Sequence, residues 1–390
     1  MSAPIKLHFQ ILQEGLNLRV DEQLSGQGIT IIYGAPGSGK STLLKCIAGV
    51  IAVPDAFLEV GEQVWHDSEA AIWLAPQDRA VGYIPEGYAL FPHLTVEDNL
   101  YFAWELALDR DHESPAAGAE ETTLALTLDA VSDLLGLNDL YSRYPHELTR
   151  VDSLRVALGR ALLRQPQLLL LDEPLTGLDQ ADNDAAIELL SYLCHSLTLP
   201  LIITSSQSEG WTLLGDYLIY LKNGAVQESA PLHAILSRLD LPLAQSIDGT
   251  TLIGVQPGVV IEAEVFEHDE DFDLTRLFFD GGELTVLRID RQRGEWVRLR
   301  MLADAVSIAI KYPSPSSFLN TIAATVDTFR PLVRGEMLVR LLLGGTTPIL
   351  ARLSEKSCTR LAIKPGLRVY VQVKCIALRV PPAYPPLQNL

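Results

Sequence analysis

Positive charge is in short supply. Among 390 residues there are 30 Lys and Arg against 49 Asp and Glu, a formal net charge of −19. A surface that acidic repels phosphate backbones and anionic lipid, which argues against a nucleic-acid partner or a lipid-adsorbing helix. Long apolar runs are missing too: no stretch approaches the roughly 20 uninterrupted apolar residues that a membrane span needs. The opening MSAPIKLHFQ has neither the basic segment nor the apolar run of a secretory leader, and none is expected. Cysteine is scarce. Cys46, Cys194, Cys358 and Cys375 are far apart and make no CxxC, so they read as buried thiols of a reducing compartment rather than disulfides or metal ligands. The eight histidines show no HxxxH spacing, which counts against a zinc site. What is present is apolar residue, 48% of the chain, enough for a large core and for two or three domains in a cytoplasmic protein.

Two regimes follow one another. Up to about residue 240, short apolar runs alternate with segments of helical period, the pattern of an α/β domain with a parallel sheet. Residues 28–33, 168–171 and 199–204 read as buried strands, and 41–50 as a helix with Leu43, Leu44, Ile47 and Ala48 on one face. Leu124, Leu128, Val131 and Leu135 mark an amphipathic helix ending near Gly136, and residues 109–121 a surface loop. From about residue 255 the period becomes two: Ile261, Ala263 and Val265 alternate with Glu262 and Glu264, and similar runs recur at 297–301 and 367–374. Asp280-Gly281-Gly282 and Gly344-Gly345 are hairpin turn candidates. Many short strands in so small a region predict an antiparallel barrel. The shared rhythm of Gly294-Glu295-Trp296-Val297 and Gly366-Leu367-Arg368-Val369 suggests two related halves. The expected domains are therefore 1–240, a linker at 241–254, a barrel at 255–380 and a proline-rich tail at 381–390.

One motif carries chemistry without ambiguity of spacing. Gly34, Ala35, Pro36, Gly37, Ser38, Gly39, Lys40 and Ser41 fit GxxxxGK followed by Ser or Thr, between a strand and a helix. Glycines let successive backbone N–H groups converge on phosphate oxygens, and the helix that begins behind them, through Thr42, adds its positive end. Lys40 supplies charge for the β- and γ-phosphates, and the Ser41 hydroxyl reaches Mg²⁺. A second apolar run, Leu168 to Leu171, ends in Asp172 and Glu173. A buried parallel strand sets both carboxylates at the sheet's C-terminal edge. Asp172 would hold the Mg²⁺ shell and Glu173 would polarise an attacking water.

In this order the residues resemble an ABC-transporter ATPase subunit over roughly residues 5–235. Tyr88 to Val96 resembles the segment after the Q-loop, which in that family faces the membrane subunit. Tyr144-Pro145-His146-Glu147-Leu148 and Arg155 to Leu162 resemble the flanks of the signature motif, and Thr176-Gly177-Leu178-Asp179 the D-loop. Further on, Phe266-Glu267-His268, Ser307-Ile308-Ala309, Pro315-Ser316-Ser317 with Asn320, and Ile363-Lys364-Pro365-Gly366 look like the oxyanion-binding barrel of molybdate-importer ATPases. The resemblance implies a P-loop NTPase domain with a helical subdomain at about 87–157, then a small all-β barrel. It further implies ATP and Mg²⁺ as ligands, a permease as partner on the cytoplasmic face of the cell membrane, and a dimer of ATPase domains. By matching positions, it implies a molybdate site at Ser317, Asn320 and Lys364.

Three positions depart from the family pattern. Glu86 stands where the Q-loop has glutamine, keeping an oxygen for the metal while adding charge. The signature register falls on Thr149, Arg150, Val151 and Asp152, which keeps a hydroxyl but loses both glycines. Val151 resists any positive φ, and Asp152 repels phosphate. Ser206 takes the place of the switch histidine. In the barrel, Leu319 replaces the arginine usual before the asparagine. The alternatives to a molybdate importer ATPase are thus an ATPase for another solute, or an ATP-binding subunit impaired in hydrolysis. The impaired subunit would act as a regulator or beside an intact partner that supplies the missing signature.

Overall fold

The computed structural model describes residues 4–13, 16–113, 127–206, 210–239, 257–313, 316–332, 335–378 and 380. The expected linker and tail, Leu124 and the part of the expected loop after residue 113 lie outside the described residues. Two compact units form. One takes the described residues within Met1–Ser206 and Gly215–Ser229, and the other those within Gln207–Leu214 and Ala230–Ala383.

The first unit is built on an 11-stranded sheet. Strands β1 (Ile5–Gln13) and β2 (Leu16–Leu24) pair antiparallel as a hairpin, followed by β3 (Ile29–Tyr33) and helix α1 (Lys40–Ile47). Then come β4 (Asp55–Val60), β5 (Gln63–Asp67), β6 (Ile72–Trp73) and β7 (Val81–Ile84). A helical segment holds α2 (Val96–Glu113), α3 (Leu128–Leu135) and α4 (Arg150–Leu162). The chain returns to the sheet as β8 (Leu168–Leu171), α5 (Gln180–Ser196), β9 (Leu201–Ser205), β10 (Tyr217–Lys222) and β11 (Ala225–Pro231). In space the order is β6-β5-β4-β1-β2-β11-β10-β3-β9-β8-β7, and the run from β10 to β7 is parallel. β3, β8 and β9 are buried along their whole length, which is why they read as unbroken apolar runs. Leu43, Leu44 and Ile47 of α1 pack into the same core as Ile32, Leu170, Ile202 and Ile219. Each such side chain contributes about 1.5–3 kcal/mol by leaving water.

Three boundaries differ from expectation. Helix α1 stops at Ile47 because Gly49, at φ 80°, turns the chain left-handed. Strand β9 begins at Leu201, after Thr198 at φ 50° and Pro200. Residues 109–113, expected in a loop, are the last turn of α2. Asp, Arg, His and Glu are all tolerated in a helix by intrinsic propensity, so polarity alone misled the reading.

The second unit contains α6 (Trp211–Leu214) and α7 (Leu232–Leu236), then nine strands in two sheets. Strands β12 (Gly258–Asp269), β13 (Leu274–Phe279), β14 (Gly282–Leu287) and β15 (Trp296–Leu302) form the sheet β14-β13-β12-β15. Strands β16 (Val306–Ala309), β17 (Asn320–Pro331), β18 (Glu336–Leu343), β19 (Thr347–Ser354) and β20 (Arg368–Val373) form β16-β20-β17-β18-β19, with α8 (Glu355–Arg360) before β20. The duplication is real. Each half contains a three-strand meander, β12-β13-β14 or β17-β18-β19, whose first strand also pairs with the strand that follows the meander, β15 or β20. Both β12 and β17 slip register once, at Val265/Glu267 and Val326/Thr328. At that bulge the hydrogen bonds repeat: Val265 N–H donates to Glu295 and Gly294 N–H to Val265, as Val326 does to Leu367 and Gly366 to Val326. Gly294 and Gly366 sit at φ 91° and 80°, so the repeated glycine is a conformational demand. The inward residues of both sheets share one apolar core.

Candidate functional site

The loop between β3 and α1 is shaped by lack of space. A Cβ on Gly34 would lie 2.3 Å from the Leu221 carbonyl, and Gly37 and Gly39 have φ of 79° and 101°. The next turn locks it: Gly224 N–H donates to the Ser38 carbonyl at 3.0 Å. The Ser38 hydroxyl is buried with no hydrogen-bond partner among the described residues. Lys40 is 5% exposed, and its Nζ donates to the carbonyls of Gly34 at 2.8 Å and Ala35 at 3.2 Å.

Parallel pairing of β3, β9 and β8 carries the two acids to this loop. Asp172 Oδ1 accepts from Ser41 Oγ at 3.0 Å and from Thr204 Oγ1 at 2.6 Å. Glu173 Oε1 lies 3.4 Å from Lys40 Nζ. The other Glu173 oxygen accepts from Thr176 Oγ1 at 3.1 Å and from the backbone N–H of Ser206 at 3.0 Å. Glu173 itself holds φ 50°, a strained conformation for a residue with a side chain, and its N–H is anchored on Thr204 Oγ1 at 2.9 Å. Burial, then Tyr220 and Glu173, push the Tyr33 phenol up to about 12; burial and Asp172 do the same to Tyr83.

The remaining sequence-predicted residues are placed as follows. Thr42 lies in α1, half-buried. Glu86 is exposed in the loop leaving β7, on the sheet edge that carries Glu173, because Ile84 pairs with Leu171. It takes no part in the contacts that hold Asp172 and Glu173. Thr149 caps α4: its Oγ1 accepts from Asp152 N–H at 3.1 Å and donates to Asp152 Oδ2 at 2.7 Å. Val151 is helical and buried, so the positive φ expected to trouble it is not demanded here. Arg150 is exposed, and its Nη1 donates to the Thr176 carbonyl at 3.1 Å.

In the barrel, Asn320 is 4% exposed and its amide is committed. Oδ1 accepts from Thr285 N–H at 2.6 Å and Nδ2 donates to Thr285 O at 2.8 Å, tying β17 to β14. Ser317 and Lys364 are exposed. Lys364 lies in the loop that meets β17 at Val326, six residues from Asn320, or about 20 Å along a strand. One chain therefore does not bring Asn320 and Lys364 together.

Sequence reasoning missed Thr204 and Thr176. A hydroxyl at the end of an otherwise apolar buried strand was the available signal for Thr204. Thr176 carried only its place in the D-loop. No group of three or more His, Cys, Asp or Glu among the described residues could hold a metal by itself, and no described helix is long and apolar enough to cross a membrane.

The sequence matches the ABC transporter family over residues 18–176 and the TOBE domain family over 316–380. It is 36% identical to a molybdenum import ATP-binding protein, ModC 1, of Azotobacter vinelandii, over 96% of this chain and 98% of that protein. A protein of Pseudomonas syringae pv. syringae with a corresponding name is 35% identical over 97% of this chain and 99% of its own. One of Rhodopseudomonas palustris is 39% identical over 90% of each.

Proposed function

The chain belongs to the ABC transporter family as an ATP-binding subunit, and on that premise we propose that it hydrolyses ATP to drive uptake of molybdate. One observation carries the catalytic part: the phosphate loop and the acidic strand end meet, Ser41 Oγ at 3.0 Å from Asp172 and Lys40 Nζ at 3.4 Å from Glu173. The cargo rests on relatives named as molybdenum import ATP-binding proteins over nearly the full chain.

The residues fit a nucleoside triphosphate with Mg²⁺. The Gly34–Ser41 loop offers convergent N–H groups, and the buried Ser38 hydroxyl is a donor left over for a phosphate oxygen. Lys40 would exchange the Gly34 and Ala35 carbonyls for the β- and γ-phosphates, and Thr42 would add its N–H at the helix start. Ser41 and Asp172, with Glu86 as a further oxygen, form the hard donor set that Mg²⁺ prefers; the ion would neutralise charge on the phosphate oxygens. Glu173, held by Lys40, Thr176 and the Ser206 backbone, would orient the attacking water, and the Ser206 hydroxyl would face the γ-phosphate. Two such subunits would dimerise, with Thr149 to Asp152 facing the other subunit's nucleotide, and a permease would bind them peripherally at the cytoplasmic side of the membrane. The nucleotide-binding part would end near residue 240 and the barrel run from 255 to 380, with Ser317 and Lys364 as its exposed oxyanion donors.

A second reading, an ATP-binding subunit that needs an intact partner, is favoured by the capping role of Thr149, whose hydroxyl is engaged with Asp152 in its own chain.

Phosphate release by the full chain with Mg-ATP tests the first reading. Glu173→Gln should abolish it while keeping nucleotide binding by calorimetry, and Lys40→Ala should weaken that binding at least tenfold. Equal release from the Glu173→Gln and unaltered proteins sinks hydrolysis at this site. Release restored only by adding a second ATPase subunit selects the second reading.

A further inference from the structure

Arg150 stands at the first turn of α4, yet its side chain leaves the helix for the loop that carries Glu173. Nη1 donates to the Thr176 carbonyl at 3.1 Å, and a Cβ on Gly177 would lie 2.9 Å from the same nitrogen. Gly177, at φ 75°, therefore admits the guanidinium as well as the turn. One residue's span completes the chain of contacts: Thr176 Oγ1 donates to Glu173 Oε2 at 3.1 Å. The same loop is also held by the buried Tyr88, whose hydroxyl donates to the Pro174 carbonyl at 2.9 Å.

We propose that Arg150 is a positioning residue for Glu173 in its own chain, acting through Thr176. This rests on Glu173 being the group that orients water. The position where the family's glycine-rich signature serves a partner's nucleotide then has a second use here. The guanidinium clamps the Thr176 backbone, the Thr176 hydroxyl is thereby fixed, and one carboxylate oxygen of Glu173 keeps its orientation. The glutamate needs the help. It occupies a left-handed backbone conformation at φ 50° that survives only when neighbouring contacts over-determine it. An arginine suits the task because several N–H donors are fixed in one plane and none is lost to titration.

The test is steady-state phosphate release by the full-length protein. Arg150→Ala should lower kcat about fivefold, the scale of one hydrogen bond, with KM for ATP and the calorimetric affinity unchanged. Arg150→Lys should recover at least half of the loss. Thr176→Val should lower kcat to a similar degree, and the double variant should be no slower than either single one, because both break the same linkage. The proposal is overturned if Arg150→Ala keeps the full kcat, if kcat and nucleotide affinity fall together, or if the two losses multiply. A Glu173→Gln protein as fast as the unaltered one overturns the hydrolytic reading along with it. Full activity confined to Arg150→Ala overturns this proposal alone.

Discussion

Thr204 Oγ1 donates to Asp172 Oδ1 at 2.6 Å while accepting the backbone N–H of Glu173 at 2.9 Å. One fully buried hydroxyl on β9 thus anchors both acids at the end of β8. It serves Asp172 with its proton and Glu173 with its lone pair.

Thr204→Val keeps the shape and removes both bonds. It leaves the Glu173 N–H and a buried carboxylate oxygen short of a partner, at a cost of about 1–3 kcal/mol. The melting temperature should fall by several degrees in a thermal scan, and phosphate release should fall about tenfold as Glu173 loses its backbone anchor. A valine protein with unchanged melting and rate would show that the anchor is redundant.

His66 gives the first unit a sensitivity to acid. It is buried in β5 between Leu58 and Trp73 on the neighbouring strands, and its Nδ1 has no hydrogen-bond partner among the described residues. Burial first, and the Arg79 guanidinium next, hold its imidazole below the ordinary 6.5, against an opposing pull from Asp67. Below about pH 6.5 the unfolded chain binds a proton that the folded chain refuses, so stability is complete above that pH and drains away as pH falls towards the lowered folded value. Urea midpoints should drop between about pH 7.5 and 5.5, and the drop should be smaller in His66→Leu. Equal drops in both proteins would assign the acid sensitivity elsewhere.

Asn320 braces β17 against β14. Asn320→Ala strips the Thr285 N–H and carbonyl of their partners and should cost the barrel about 2 kcal/mol. Ser317→Ala and Lys364→Ala, both at exposed positions, should shift stability by no more than about 0.5 kcal/mol. Equilibrium dialysis of the full chain against molybdate and tungstate then separates the roles: the exposed pair should lose uptake without losing stability. No uptake by the unaltered protein ends the oxyanion reading.

What the sequence determined by itself was whatever is encoded by spacing along one segment. The phosphate loop is contiguous, and its glycines, lysine and serine are each required by a local geometry, so Gly34 to Ser41 could be read directly. The all-apolar β8 announced a buried parallel strand and thereby placed Asp172 and Glu173 at its end. Alternation from Ile261 onward gave the antiparallel barrel, and even the duplicated glycines at 294 and 366 left a trace, because a bulge demands the same left-handed turn in both halves.

Only the tertiary structure decided who holds those groups. Thr204 reaches Asp172 because β9 lies beside β8, a pairing between segments some thirty residues apart that no local pattern encodes. Arg150 reads as a lost glycine until α4 is seen to aim it at Thr176. Asn320 matches a ligand position in sequence, yet the fold consumes its amide in joining β17 to β14. Side-chain hydrogen bonds between distant strands depend on register and direction, and those are fixed by packing of the whole core.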